Sequence, residues 1–312
     1  MKILITGGAG FIGSHLTKLH LAKNDDVTVI DNFITGDKKN LETESDNKNL
    51  KIIEADVINY NFSDLPGFDL IYDLASPASP QDFRKLSIEI LKTNSLGLIN
   101  IVDFFIKSNS KTLVFSSTSE VYGDPLEHPQ KESYFGYVNP VGPRSCYDEG
   151  KRFAEALMMS YFRRFNRDMR IARIFKTYGP LMKKDDGRVV SNFINQGLEN
   201  KPITIYGLGK QTRSFCYISD MVEGLYLLAT TPGLAGEIFN IGNQNEKTIL
   251  EIANIIKKLT KSQSKIIYKT IGRDDPKRRC PDISKAKKLL NWQPKISLEQ
   301  GLKQTIKYFK NI

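Results

Sequence analysis

Residues 2–15, KILITGGAGFIGSH, run a short apolar stretch into a cluster of glycines and out again into a helical pattern. KILIT has the composition of a buried strand, and the residues from Ile12 to Ala22 have the spacing of a helix. Between them Gly8, Gly10 and Gly13 fit G-x-G-x-x-G, while Gly7, Gly10 and Gly13 are spaced by three. Glycine there lets the backbone close on a pyrophosphate at a helix N-terminus, where unpaired N–H groups and the dipole favour an anion. Any tight strand-to-helix turn also wants glycine. Placed after a strand and opening a helix, this cluster with Phe11 and Ile12 points to a dinucleotide.

Outward from that turn, the runs VTVID (27–31), KIIEAD (51–56), LIYDLAS (70–76), TLVFSST (112–118), RIARIF (170–175) and EIFNIG (237–242) read as strands. They alternate with helical patterns, which implies parallel pairing through right-handed crossovers. The expected fold class is α/β, a doubly wound parallel sheet. The C-terminal third, from TILEIANIIKKL to LLNWQPKISLEQGLKQTIKYF, is mostly amphipathic helix and loop and reads as a smaller lobe. Residues 1–175, with a return near 215–242, are expected to hold the cofactor, and 176–312 mainly the substrate. Trp292 and the aromatic residues around it read as core of the smaller lobe.

Ligands of such sheets sit outside the carboxyl ends of the strands. VTVID ends in Asp31, 18 residues after Gly13, where a carboxylate can accept from a ribose 2′-hydroxyl and would repel a 2′-phosphate. NAD is therefore favoured over NADP. Asp56 and Val57 follow the third strand and are placed to reach the adenine edge, although an aspartate there also suits a turn or an N-cap.

In NPVGPRSCYDEGKR (139–152), Tyr147 and Lys151 stand four apart and share one helix face. A nicotinamide on the sheet needs a base to take an alcohol proton while hydride leaves. A free tyrosine has a pKa of about 10, and bringing it near 7 costs about 4 kcal/mol at 1.36 kcal/mol per unit. An adjacent ammonium and a cationic nicotinamide ring are expected to supply that. SSTSE, closing a strand between the glycine turn and this pair, strengthens the reading.

The net charge of +10, from 45 Lys and Arg against 35 Asp and Glu, is dispersed over solvated faces rather than gathered for nucleic acid. DDPKRRCPD (274–282) alone is concentrated enough to hold an anion. Cys146, Cys216 and Cys280 are odd in number and far apart, and His15, His20 and His128 form no ligand spacing with them, so neither disulfides nor a metal is expected. No stretch approaches the roughly 18 apolar residues of a membrane span, and MKILITGG carries no leader pattern. A reducing cytoplasm is the expected compartment.

Taken together, TGGAGFIGSHL, LASPASP, KTNSLG, STSEVYGDPLEHPQ, NPVGPRSCYDEGKR, DDGRVVSNFI, QTRSF, DDPKRRCPDI and NWQPKISLEQGL carry a resemblance over essentially the whole chain. The chain resembles the extended short-chain dehydrogenase/reductases of the NAD-dependent epimerase/dehydratase family, most of all the UDP-glucuronate decarboxylases. The resemblance implies a Rossmann-type sheet, bound NAD, a UDP-sugar substrate and a homodimer paired through a helix bundle that includes the Tyr147 helix. It implies that Thr118 hydrogen-bonds the reacting sugar hydroxyl, that Tyr147 is the base with Lys151 as helper, and that Ser119 and Glu120 serve decarboxylation. Asn32, Phe33, Thr35 and Gly36 would continue the adenosine contacts, and Leu74 and Ser76 would line the NAD path. Lys92, Lys176, Arg188, Asn192, Tyr206, Arg213 and Arg278 would serve the substrate, with Arg213 at the reacting sugar.

The implied reaction oxidises C4 of UDP-glucuronate, releases CO2 from the 4-keto sugar and reduces C4 again to give UDP-xylose. Arg213, or a water oriented by Glu120, would return the proton to C5. Rival readings on the same scaffold are 4-epimerisation and 4,6-dehydration; relatives that dehydrate carry an Asp-Glu pair where this chain has Ser119. Three positions depart from the family: Lys176 where Asn is usual, Leu181 where Arg is usual, and Asp73 where His or Asn is usual. Lys176 is expected to contact the diphosphate in a new way, and Asp73 reads as neutral surface drift.

Overall fold

Ile3 and Ile5 face one core and Leu4 the opposite one, all fully buried. A strand covered on both faces has no polar side to show, which is why KILIT and the later runs are continuous rather than alternating. The computed structural model describes residues 1–270, 272 and 274–312. Its central sheet has seven strands: β1 (Lys2–Thr6), β2 (Asp26–Asp31), β3 (Leu50–Glu54), β4 (Leu70–Asp73), β5 (Thr112–Thr118), β6 (Asp168–Ile174) and β7 (Ile238–Ile241). They lie in the order β7-β6-β5-β4-β1-β2-β3, every pair parallel.

The chain winds outward from β1 to β3, then returns to place β4 on the other side of β1. That reversal opens a crevice at the carboxyl ends of β1 and β4. In register, Thr6 pairs with Asp73, and Thr118 at the end of β5 with Ile174 at the end of β6. Two helical layers cover the sheet. Helices α1 (Phe11–Ala22) and α5 (Ile218–Thr230) pack on the Ile3 side, and α2 (Leu98–Lys107) and α3 (Ser145–Phe165) on the Leu4 side.

Tyr147, Lys151, Ala154 and Met158 are the buried stripe of α3, spaced four, three and four, so the packing of the helix also fixes the chemistry on its first turn. The helix ends where Asn166 takes a left-handed conformation at φ 49°. The smaller lobe groups α4 (Val189–Leu198), α6 (Ile249–Thr260) and α7 (Leu298–Lys310). Capping boxes start α6 at Thr248–Glu251 and α7 at Ser297–Gln300, each cap contributing about 1 kcal/mol.

Trp292 corrects one expectation. It is buried, but its indole lies beside Gly224 of α5 and Nε1 donates to Asp220 O at 3.0 Å. It packs the flank of the central sheet rather than the core of the smaller lobe.

Candidate active site

A cleft of about 790 Å³ runs along the carboxyl ends of the strands, from Gly7 and Asp31 past Thr118 and Tyr147 to Arg213 and Asp275. Its size suits a cofactor and a substrate together.

At the cofactor end the backbone leaves no room for side chains. Gly7 has φ +68°, and a Cβ on it would stand 2.7 Å from Leu74 O; a Cβ on Gly13 would stand 2.2 Å from Gly7 O. The first turn of α1 aims its unpaired N–H groups into this hollow. Asp31 is buried at its rim. Its Oδ2 accepts from Ala9 N at 2.9 Å and its Oδ1 from Phe33 N at 2.8 Å, while Gly36 lies close against the carboxylate. Burial pushes the Asp31 carboxyl up, and the two backbone donors pull it partly back. Each oxygen keeps a lone pair for a ribose hydroxyl.

Gly10, Phe11, Ile12, Asn32, Thr35, Asp56, Val57, Leu74 and Ser76 also line the cleft. Asn32 donates to Asp56 at 2.9 Å, and Asp56 accepts from Ile58 N at 2.9 Å, so Asp56 makes a turn and lines the cleft as well. Phe33 is the exception. Held at φ 57° by Asp31, it lies outside the lining, with Lys38 Nζ 4.8 Å from its ring centre. This glycine and aspartate cradle fits NAD.

Thr118 ends β5, and its Oγ1 accepts from Glu120 N at 3.2 Å, starting the single 3-10 turn Ser119–Tyr122. The Tyr147 ring is stacked on Phe83 at 5.0 Å, and both Tyr147 and Thr118 line the cleft. Burial pushes the phenol up to about 12, with Thr118 and Arg188 pulling it partly back, so the lowering expected on catalysis falls to the cofactor's own charge. Lys151 has partners of its own: its Nζ donates to Ser116 O at 2.7 Å and sits over the Phe115 ring, which holds the ammonium at the strand end. Burial holds Lys151 down to about 8.

Asp73 is no surface residue. It is 3% exposed, accepts from Thr6 Oγ1 at 2.6 Å and from Ala75 N, and its charge faces Lys151.

Glu120 is buried under three cations. Lys176 Nζ reaches its Oε1 at 2.7 Å, while Arg144 Nη2 at 2.7 Å and Arg279 Nη2 at 3.2 Å reach Oε2. The lysine and two guanidiniums, outweighing desolvation, hold its carboxyl well below the usual range. Glu120 therefore has no proton to give, and both oxygens are engaged. Lys176, expected at the diphosphate, is bound instead to Glu120. Ser119 is buried beside it in the lining.

Of the remaining expected residues, Arg188, Asn192, Tyr206 and Arg213 line the cleft. Arg188 pairs with Asp186 at 3.1 Å, Asn192 donates to Gly187 O, and Arg213 is held by Asp275 at 3.2 Å and by Thr212 O at 2.8 Å. Lys92 and Arg278 are not brought in; both are exposed and outside the lining. The neighbour Arg279, fully buried on Glu120, takes the inward place expected of Arg278. Sequence reasoning also missed Arg144 and Phe83, although Arg144 stands three residues before Tyr147 in the stretch already singled out.

The chain has known relatives. A family model described as GDP-mannose 4,6 dehydratase matches residues 4–305, and the chain belongs to that family. UDP-glucuronic acid decarboxylase 1 of Arabidopsis thaliana is 50% identical over 311 residues, spanning 100% of this chain and 70% of its own. The protein of the same name from Danio rerio is 49% identical, spanning 99% and 72%. Among solved structures, UDP-glucuronic acid 4-epimerase from Bacillus cereus, in complex with UDP-glucuronic acid and NAD, superposes with a TM-score of 0.89 at 31% identity, covering 100% of this chain and 99% of that one.

Proposed function

We propose that this protein is an NAD-dependent UDP-glucuronate decarboxylase, forming UDP-xylose and CO2. The observation that carries the reading is the cation cluster around Glu120, set two residues beyond Thr118 in the cleft that holds Tyr147. A neutral hexose has no use for such a cluster, whereas a uronate brings the anion it lacks. Curated decarboxylases about 50% identical over the full chain support the same choice.

Gly7, Gly10, Gly13, Asp31 and Gly36 hold the cofactor. NAD bound there supplies the hydride acceptor for C4 and a cationic ring that favours the Tyr147 phenolate. Tyr147 takes the C4 hydroxyl proton while Thr118 hydrogen-bonds the same oxygen. Once C4 is a ketone, the C6 carboxylate is β to it, and CO2 leaves with the electron pair passing to the C4 oxygen. Thr118 and the Tyr147 hydroxyl stabilise that oxyanion. A proton then returns to C5, from Arg213 or a water, restoring the C4 ketone. Tyr147 gives its proton back to the C4 oxygen while the hydride returns to C4, which leaves UDP-xylose and the cofactor in its starting state. Glu120 serves by gathering Lys176, Arg144 and Arg279 rather than by donating a proton. Arg213, anchored by Asp275, faces the reacting sugar, and Arg188, Asn192 and Tyr206 take the nucleotide end.

Residues 1–175 with the 215–242 return carry the cofactor, and 176–312 mainly the nucleotide sugar. The working unit is a homodimer: Ile88, Leu91, Leu96 and Phe153 stand exposed on the packed helices Ser87–Lys92, Thr93–Gly97 and α3, an apolar surface suited to a second copy. The three cysteines are free and buried, in keeping with a reducing cytoplasm. No helix among the described residues is long and apolar enough to cross a membrane.

Incubation with UDP-glucuronate and mass analysis of the nucleotide sugar tests the reaction. UDP-xylose should accumulate with an equal amount of CO2 while NADH absorbance stays low. A product of unchanged mass with inverted C4 would make the chain a 4-epimerase instead.

A further inference from the structure

The charges around Glu120 do not balance. Arg144, Lys176, Arg213 and Arg279 face Glu120, Asp275 and Asp148, and Asp148, 3.8 Å from Arg144, is pushed up to about 7 by burial and by Glu120, so it is only partly ionised near neutral pH. Arg279 is fully buried, and its Nε and Nη1 find no partner among the described residues. Buried cations in excess call for an anion that the described residues do not supply.

The four cations differ in what remains free. Side-chain exposure is 0% for Arg279, 6% for Arg213 and 14% for Arg144, against 33% for Lys176. Arg213 is committed to Asp275 and Thr212 O, and the two other arginines share Glu120 Oε2. Lys176 spends one of its three N–H donors on Glu120 Oε1, keeps two, and is the most exposed of the four where it lines the cleft. Its place is also set by the sheet. Thr118 pairs with Ile174, so Lys176, two residues past the end of β6, stands level with Glu120, two past the end of β5. The reaction proposed above puts the sugar ring, and not the nucleotide, on this side of the cleft.

We propose that Lys176 selects a carboxylate-bearing sugar, giving its cleft-facing N–H groups to the C6 carboxylate while Glu120 fixes the ammonium from behind. This rests on the proposed reaction only in placing the reacting ring against Thr118 and Tyr147. It makes Lys176 a specificity residue at a position where the family resemblance leads one to expect an asparagine.

Calorimetric binding of UDP-glucuronate, UDP-glucose and UDP to the NAD-loaded wild type and to Lys176→Gln and Lys176→Arg tests the proposal. The wild type should prefer UDP-glucuronate to UDP-glucose by about tenfold or more, the effect of one charge-assisted contact. Lys176→Gln should bring that ratio within about threefold while UDP and UDP-glucose affinities hold, and Lys176→Arg should keep most of it. An unchanged ratio in Lys176→Gln, or equal weakening of all three ligands, would overturn it. Should that variant fail to fold, Lys176→Asn decides by the same criteria. Product mass separates the two readings: an epimerised UDP-glucuronate would sink the decarboxylase assignment and leave the binding ratio standing.

Discussion

The cofactor cradle and the charge cluster share one cleft and are built by opposite means. In the cradle the one buried carboxylate, Asp31, is answered by backbone N–H groups of Ala9 and Phe33, and the shape comes from glycines within a single turn. In the cluster the buried carboxylate, Glu120, is answered by side chains from residues 144, 176 and 279. The cradle therefore tolerates no added atom, and the cluster tolerates no lost charge. Substitutions of each kind should fail in distinguishable ways.

The largest effect belongs to the residue where the two regions meet. Tyr147→Phe keeps the ring stacked on Phe83 and removes the proton acceptor, so kcat should fall by about 10² to 10⁴ with UDP-glucuronate affinity little changed. A loss below about tenfold would mean that another group takes the proton. In the cluster, Arg279→Met leaves Glu120 short of one buried partner. Leaving a buried charge uncompensated costs about 3–5 kcal/mol; Glu120 keeps Lys176 and Arg144, so the loss read by urea unfolding should not exceed the lower end of that range. In the cradle, Gly13→Ala should be milder on stability, about 1–3 kcal/mol for overpacking, yet should strip NAD from the purified protein because the added Cβ collides with Gly7 O. Retained NAD in that variant would refute the backbone account of the cradle.

The same contrast explains what could be read in advance. All seven sheet strands, the glycine turn and Asp31 are local signals, carried by apolar runs and by spacing within one connection. The partners of Glu120 are not local. Lys176 meets it because β5 and β6 pair in one register, a fact no spacing in the chain encodes. Asp73 looked like surface drift because its burial depends on Thr6 of a strand 67 residues away. Tyr147 and Lys151 share the buried face of one helix, but nothing in their spacing announces that the Ser116 carbonyl also claims the ammonium.

Lys151 supplies a pH test of that last point. Burial holds its ammonium at about 8 against 10.5 in the exposed state. Below pH 8 both folded and unfolded chains carry the proton, and the folded chain bears the full penalty of a buried charge. Between pH 8 and 10.5 the unfolded chain binds a proton that the folded chain has released, so stability rises with pH in this window. The unfolding free energy of the cofactor-free wild type, minus that of Lys151→Met, should grow across it by at most about 3 kcal/mol at 1.36 kcal/mol per unit. A flat or falling difference would show that the ammonium is well solvated.

The smallest effect is expected one residue from one of the largest. Residues 277 and 279 accept from the backbone N–H groups of Thr212 and Ser214, so this stretch runs beside the strand Thr212–Ser214 like an extended edge. Successive side chains of an extended segment point to opposite sides, and a slip of one residue exchanges inside for outside. Arg279 accordingly turns inward onto Glu120, and Arg278 turns out into water. Nothing in KRRCP says which of the two arginines faces in; the pairing with Thr212 and Ser214 does. Arg278→Ala should then leave kcat/KM for UDP-glucuronate within about twofold and stability within about 0.5 kcal/mol, as for surface changes away from special features. Should Arg278→Ala instead lose activity on the scale of an active-site cation while Arg279→Met does not, the register of this edge, and with it the composition of the charge cluster, would have to be redrawn.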